Sequence, residues 1–191
     1  MAELFTVGHS NHPFDAFAEL LKQHRIDVLV DTRSSPYSQY VTHFNREAIQ
    51  AELPTRGIKY LYLGEELGGR PDGAEFYDEA GHVRYHRVAE SAKFLGGIER
   101  VEAGIRKFRV ALMCSEEDPT VCHRFLLVSR VLAKRGLAVL HIRGDGSVQA
   151  DADLRDAALF QGSLFDIPGE QLWQSLRSVS PRRTRESSSD S

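Results

Sequence analysis

The chain predicts an α/β fold: one mostly parallel sheet of about five strands with helices on both faces, Rossmann-like in layout. Three observations predict it. Short apolar runs alternate with helical patterns to about residue 143, the runs are continuous in Val, Leu and Ile, and turn residues separate them. Continuous runs mean strands covered on both sides, which is the environment of a parallel sheet.

The first β-α-β unit occupies residues 3–31. Leu4-Phe5-Thr6-Val7 is a strand, Phe14, Phe17, Ala18 and Leu21 recur at helical spacing, and Asp27-Val28-Leu29-Val30-Asp31 is the second strand. Pro13 suits the first helical position, where its missing N–H costs nothing. Residues 33–47 show no period and leave the second strand as an ordered loop, with Asn45 expected to cap a short helix that breaks near Pro54. Residues 58–63 are a third strand.

Residues 64–87, with five glycines and Pro71, form the longest weakly patterned stretch, and a loop of that length in a compact domain usually serves function. A helix is expected over 88–107, with Leu95, Ile98, Val101 and Ile105 on one face. Residues 108–113 are a fourth strand. Phe125, Val128 and Leu132 place a buried face on the next helix, Gly136 ends it, and 137–142 supplies a fifth strand. Short helices are expected over 151–160 and 168–176. One domain over 1–180 is therefore expected, followed by a flexible Ser/Arg-rich tail over 181–191.

Composition narrows the function classes. At 191 residues, 41% hydrophobic and 27% charged, the chain is an ordinary globular sequence, and its net charge of −3 provides no global field for nucleic acid. No apolar run approaches the ~20 residues that span a bilayer, and Met1-Ala2-Glu3-Leu4 lacks the basic-then-apolar layout of a signal peptide. A cytoplasmic protein without a membrane partner is expected. The two cysteines then read as reduced thiols, since a chain of this size needs no disulfide staple. Nothing in the sequence sets an oligomeric state.

The chemistry-bearing residues cluster at strand ends. Gly8-His9-Ser10 follows the first strand, Asp31-Thr32-Arg33 ends the second, Leu67-Gly68-Gly69-Arg70-Pro71 lies in the loop after the third, and Leu112-Met113-Cys114-Ser115-Glu116 ends the fourth. Val121-Cys122-His123-Arg124 then opens the following helix. In an open parallel sheet all carboxyl ends lie along one edge, so these motifs should converge there. These motifs, spread over nearly the whole ordered chain, resemble the domain-of-unknown-function 488 family, although the position of Thr32 more often carries valine in it. The resemblance implies a small cytoplasmic α/β protein of prokaryotes with the motifs gathered at one site, and carries over no activity.

Three functional readings compete. The first is an enzyme acting on an anionic, phosphorylated or nucleotide-like substrate. Cys122, at a helix start that favours a thiolate, is its nucleophile or redox thiol, with Cys114 as a second candidate. His9 or His123 manages protons, Asp31 orients Arg33, and Arg33 with Arg124 holds the anion. Ser10, Gly68, Gly69 and Arg70 complete the binding set as a tight turn and a lid. A phosphatase-type loop is disfavoured, because the thiol and arginine would have to close one short Gly-rich loop and Cys114 to Arg124 runs through Pro119. This reading needs no cofactor or metal.

The second reading is a non-catalytic binder of a nucleotide or nucleic acid, with Arg33, Arg46, Arg56, Arg70, Arg84 and Arg87 as a basic rim. The third is a zinc or iron site from Cys114, Cys122, His123 and His9. It is disfavoured because Cys-x7-Cys-His is an uncommon ligand spacing and adjacent Cys122 and His123 are expected to point apart. His24, His82, His86 and His141 are assigned to surface or packing.

Overall fold

Six strands form one sheet in a computed structural model, which describes residues 2–160 and 173–180. They are β1 Glu3–Gly8, β2 Val28–Asp31, β3 Lys59–Tyr62, β4 Val110–Cys114, β5 Ala138–Ile142 and β6 Val148–Ala150. Their order is β3-β2-β4-β1-β5-β6, parallel throughout except for antiparallel β6 at the edge. The helices are α1 Phe14–Gln23, α2 Arg46–Thr55, α3 Gly64–Leu67, α4 Tyr85–Glu90, α5 Ala92–Ile105, α6 Arg130–Lys134 and α7 Asp151–Phe160. A π-helical segment, Arg124–Ser129, runs directly into α6. Among the described residues, no helix is long and apolar enough to cross a membrane.

Successive strand side chains point to opposite faces, and both faces here are apolar. Val28, Val30, Val110, Leu112 and Val139 pack with Phe94, Ile98 and Val101 of α5 and with Leu127, Val128 and Leu132 on one side. Phe5, Val7, Leu29, Ala111 and Met113 pack with Phe17 and Leu21 of α1 and Ile49 and Leu53 of α2 on the other. This two-sided burial is why the strands lack a polar alternate.

Several elements differ from expectation. The sixth strand is a three-residue antiparallel edge of exposed or half-buried residues, too short and too polar to announce itself by periodicity. The helix expected over 88–107 is two helices, because Ser91 is extended and its hydroxyl accepts the Phe94 N–H, capping α5. Asn45 precedes α2 as expected, but its side chain accepts the Ser38 N–H, so it fastens the 33–45 loop instead. Pro13 stands just before α1, and β4 begins at Val110. The 64–87 stretch contains α3, a 3-10 turn and the start of α4. Of the helix expected over 168–176, residues 173–176 are not helical and the rest lie outside the described residues, as does the 181–191 tail.

His141 is packing, and it is polar packing. The buried Thr6 hydroxyl donates to His141 Nδ1 over 2.7 Å, and Nε2 donates to Asp151 at 3.1 Å, tying α7 to the sheet. Arg155 closes the network on Asp151. Burial outweighs the Asp151 carboxylate and lowers the His141 pKa from 6.5. The folded protein thus resists a proton that the unfolded chain accepts, so stability falls as pH drops below the unfolded value toward the folded one. His141→Gln is expected to melt lower at about pH 7.5, yet to lose less than the parent between about pH 7.5 and 5.5. Thermal melts at both pH values check this, and equal pH losses in the two proteins would refute it.

Candidate functional site

Register brings the strand-end motifs together. Gly8 pairs with Cys114, and Asp31 pairs with Met113 on one side and Tyr62 on the other. Beyond the last rungs the ladder continues through the turn, as His9 N–H donates to the Cys114 carbonyl and Ser10 N–H to that of Ser115. The carboxyl edge of β1, β2 and β4 is therefore one surface. A cleft of about 460 Å³ opens on it, lined among others by Cys114, Glu116, Cys122, His123, Arg70 and Arg177.

Its floor is a sulfur and imidazole cluster. Cys114 Sγ lies 3.6 Å and Cys122 Sγ 3.7 Å from His123 Nδ1. The far side of the ring, Nε2, donates to the Thr32 carbonyl at 3.2 Å, which turns Nδ1 toward the sulfurs. Adjacent Cys122 and His123 do not diverge as expected from their adjacency. Cys122 is extended and His123 is the first residue with helical angles, so the backbone bends between them and both side chains turn inward. Gly69 lies close against the ring, where a Cβ would stand 2.8 Å from His123 Cγ. The Gly68-Gly69 backbone thus approaches a site side chain.

The electrostatics reverse the expected order of the thiols. A hydrogen bond from Cys122, outweighing burial and helped by His123, lowers the Cys114 thiol to about 6. Burial, together with the neighbouring Cys114 sulfur, raises Cys122 well above its ordinary value. The helix start does not activate Cys122, since the Phe125 and Leu126 amides bond its carbonyl and only the Arg124 amide, at 3.5 Å, points to its sulfur. Burial disfavours a charge on His123, but the Cys114 sulfur and Glu116 outweigh it and raise its pKa. Glu116 Oε2 accepts from the Cys114 thiol at 3.1 Å, which, against burial, holds the carboxyl below its usual range.

The other expected residues occupy different places. Asp31 is fully buried and accepts from Arg33 N at 3.0 Å, Nε at 2.9 Å and Nη2 at 2.7 Å, and from the Tyr60 hydroxyl at 2.7 Å. Arg33 also donates to the Phe44 carbonyl and faces His9 Nε2 at 3.1 Å, so its guanidinium is engaged in the wall rather than free. His9 is buried and stacked on Phe44, and its Nδ1 donates to Ser10 O at 2.8 Å. Burial and the Arg33 charge lower it to about 4, so it is a neutral acceptor that seats Arg33. Ser10 borders a separate shallow depression with His12, Glu117 and Arg143. Arg124 is fully buried and does not line the cleft; its Nη2 donates to the Glu117 carbonyl, while its Nε and Nη1 have no partner among the described residues.

Sequence reasoning left out Glu116, Ser34, Tyr85 and Arg177 as site residues. Glu116 was within the strand-end motif, and its two-residue separation from Cys114 was the available signal. Arg177 arrives from far along the chain, on a segment held by Ser175 N–H to the Val83 carbonyl and Val179 N–H to that of Gly81. No local pattern announces it.

Fold and site together define a doubly wound α/β protein with a Cys/His cluster at the carboxyl edge of its sheet. The chain belongs to the family described as domain of unknown function DUF488, whose model matches residues 13–131, from α1 through both cysteines. Gly8-His9-Ser10 lies outside that match. No curated protein and no solved structure matches the chain.

Proposed function

We propose that the chain is an enzyme that binds a small phosphorylated or nucleotide-like anion in this cleft and transforms it at the Cys114, Cys122 and His123 cluster. One observation carries the reading: reactive groups converge on the floor of a cleft whose rim bears Arg70 and Arg177, both exposed. Neither guanidinium hydrogen-bonds or ion-pairs with a described residue, in contrast to Arg33, which Asp31 neutralises. Ser34, Ser35 and Ser115 add hydroxyls along the walls. The anion is held at the rim while its reacting part reaches the floor, where Cys114, Cys122, His123 and Glu116 converge.

The nucleic-acid reading draws less support. Arg33 is buried, Arg56 pairs with Asp15, Arg87 donates to the Glu75 carbonyl and Arg46 stacks on Tyr62, so most of the expected basic rim is engaged elsewhere.

Titration calorimetry with AMP as probe tests the reading. Binding should weaken with salt, and Arg70→Ala or Arg177→Ala should each weaken it by roughly tenfold, the scale of one charged hydrogen bond. AMP that does not bind, or that binds both variants as it binds the parent, overturns it.

A further inference from the structure

We propose that Cys114, Cys122 and His123 form a divalent transition-metal site, for which zinc is the best match, with its remaining coordination position on the cleft side. The inference deepens the reading above and rests on it for treating the cleft as the reaction site. The ligand geometry stands without it.

Distances carry the argument. Tetrahedral zinc with Zn–S about 2.3 Å and Zn–N about 2.0–2.1 Å requires S···N edges of about 3.6 Å. The observed edges from His123 Nδ1 are 3.6 Å to Cys114 Sγ and 3.7 Å to Cys122 Sγ, and the three donor atoms all lie within 4.8 Å of one another. The two S···N edges thus match a bound ion, and the third edge, between the sulfurs, need only close to about 3.8 Å for one ion to reach all three donors.

The outer contacts fit equally well. Metal-bound imidazoles usually donate their other N–H to a carbonyl or carboxylate, which fixes the ring and exposes the ligating nitrogen. Thr32 O does this for His123 at 3.2 Å, and Gly69 backs the ring. The donors are also short of cations. Two sulfurs, an imidazole nitrogen and the Glu116 carboxylate 3.1 Å from Cys114 converge, with no lysine or arginine side chain hydrogen-bonded to any of them among the described residues. Thiolate and imidazole together select zinc over magnesium or calcium, and iron is the nearest competitor.

The topology explains why an uncommon spacing works. Cys114 ends β4, the intervening residues form a loop and one 3-10 turn, and the bend at Cys122 returns the chain so that the two cysteines face each other. All three ligands and Glu116 line the cleft, and the proposed site accordingly takes its remaining position from the cleft side. Three protein ligands with one open position is the pattern of catalytic rather than structural zinc. His9, included among the ligands on sequence grounds, is excluded by its contacts to Ser10 O and Arg33.

The test is elemental analysis of the full chain purified under reducing conditions, followed by Co²⁺ titration of metal-depleted protein. Near one equivalent of zinc or iron is expected, together with tetrahedral cobalt bands and thiolate-to-cobalt charge transfer. Cys114→Ser, Cys122→Ser and His123→Ala should each weaken Co²⁺ binding by more than about 100-fold, since loss of an outer contact alone costs 10- to 100-fold. Circular dichroism separates unfolding from ligand loss. Metal-depleted, folded parent protein that shows no thiolate-to-cobalt band overturns the proposal, as does a folded Cys114→Ser/Cys122→Ser double variant that retains the parent's metal content. A parent that purifies without metal and shows no thiolate-to-cobalt band, yet binds AMP, would defeat the metal centre and leave the anion site standing, while a loaded centre with no AMP binding would do the reverse.

Discussion

Asp31→Ala is expected to lower stability by about 3–5 kcal/mol, a fall in Tm of roughly 10 °C or more for a chain of this size. Asp31 is fully buried and satisfies three Arg33 donors, and Arg33 is itself only 6% exposed. Removing the carboxylate leaves a largely buried guanidinium without its counter-charge and takes the acceptor from the Tyr60 hydroxyl. The cost is that of breaking a buried pair, not the net worth of having one. Replacing both partners, as in Asp31→Leu/Arg33→Met, is accordingly expected to be milder than Asp31→Ala alone. A thermal melt of the three proteins checks both statements, and an Asp31→Ala Tm within about 2 °C of the parent would show that water or a rearranged partner reaches Arg33.

The pair also explains which parts of the site could be read from sequence. Asp31-Thr32-Arg33 at a strand end announces a charged pair at the carboxyl edge, and Cys114 with Cys122 and His123 announces reactive groups there. The roles within those motifs depend on burial and direction, which local patterns do not encode. Arg33 was expected to bind an anion and is consumed by Asp31. Cys122 was expected to carry the reactive thiolate, yet burial and the Cys114 sulfur hold its proton. Likewise, the sheet's central strands were legible because both faces are apolar, whereas β6 and the break at Ser91 depend on edge pairing and on one hydroxyl. Arg177 shows the outer limit, since the segment that delivers it is placed by backbone bonds to residues 81 and 83.

Gly8→Ala is expected to be the most damaging methyl addition at the site, at about 3 kcal/mol or more, because the added carbon has nowhere to go. An ideal Cβ on Gly8 would stand 1.9 Å from the Glu116 carbonyl oxygen and 2.8 Å from the Glu117 Cα, both backbone atoms that no rotamer change can withdraw. The loop cannot yield outward. Glu117 is pinned through its carboxylate to Arg143 at 2.7 Å and to the Gly144 N–H at 3.0 Å, and through its carbonyl to buried Arg124 at 2.6 Å. Any relief must therefore come from β1 sliding against β4, whose rung at Gly8 is Cys114 itself. The variant should melt several degrees lower and, where it folds, bind Co²⁺ more weakly, because the shift moves Cys114 relative to Cys122 and His123. Gly96→Ala is the matched control. Nothing lies within 4 Å of its Cβ position on α5, so it should raise stability by roughly 0.5–1 kcal/mol and leave metal binding unchanged. If Gly8→Ala melts like the parent, the contact between β1 and the 115–117 loop is looser than the geometry requires, and the cluster does not depend on it for its shape.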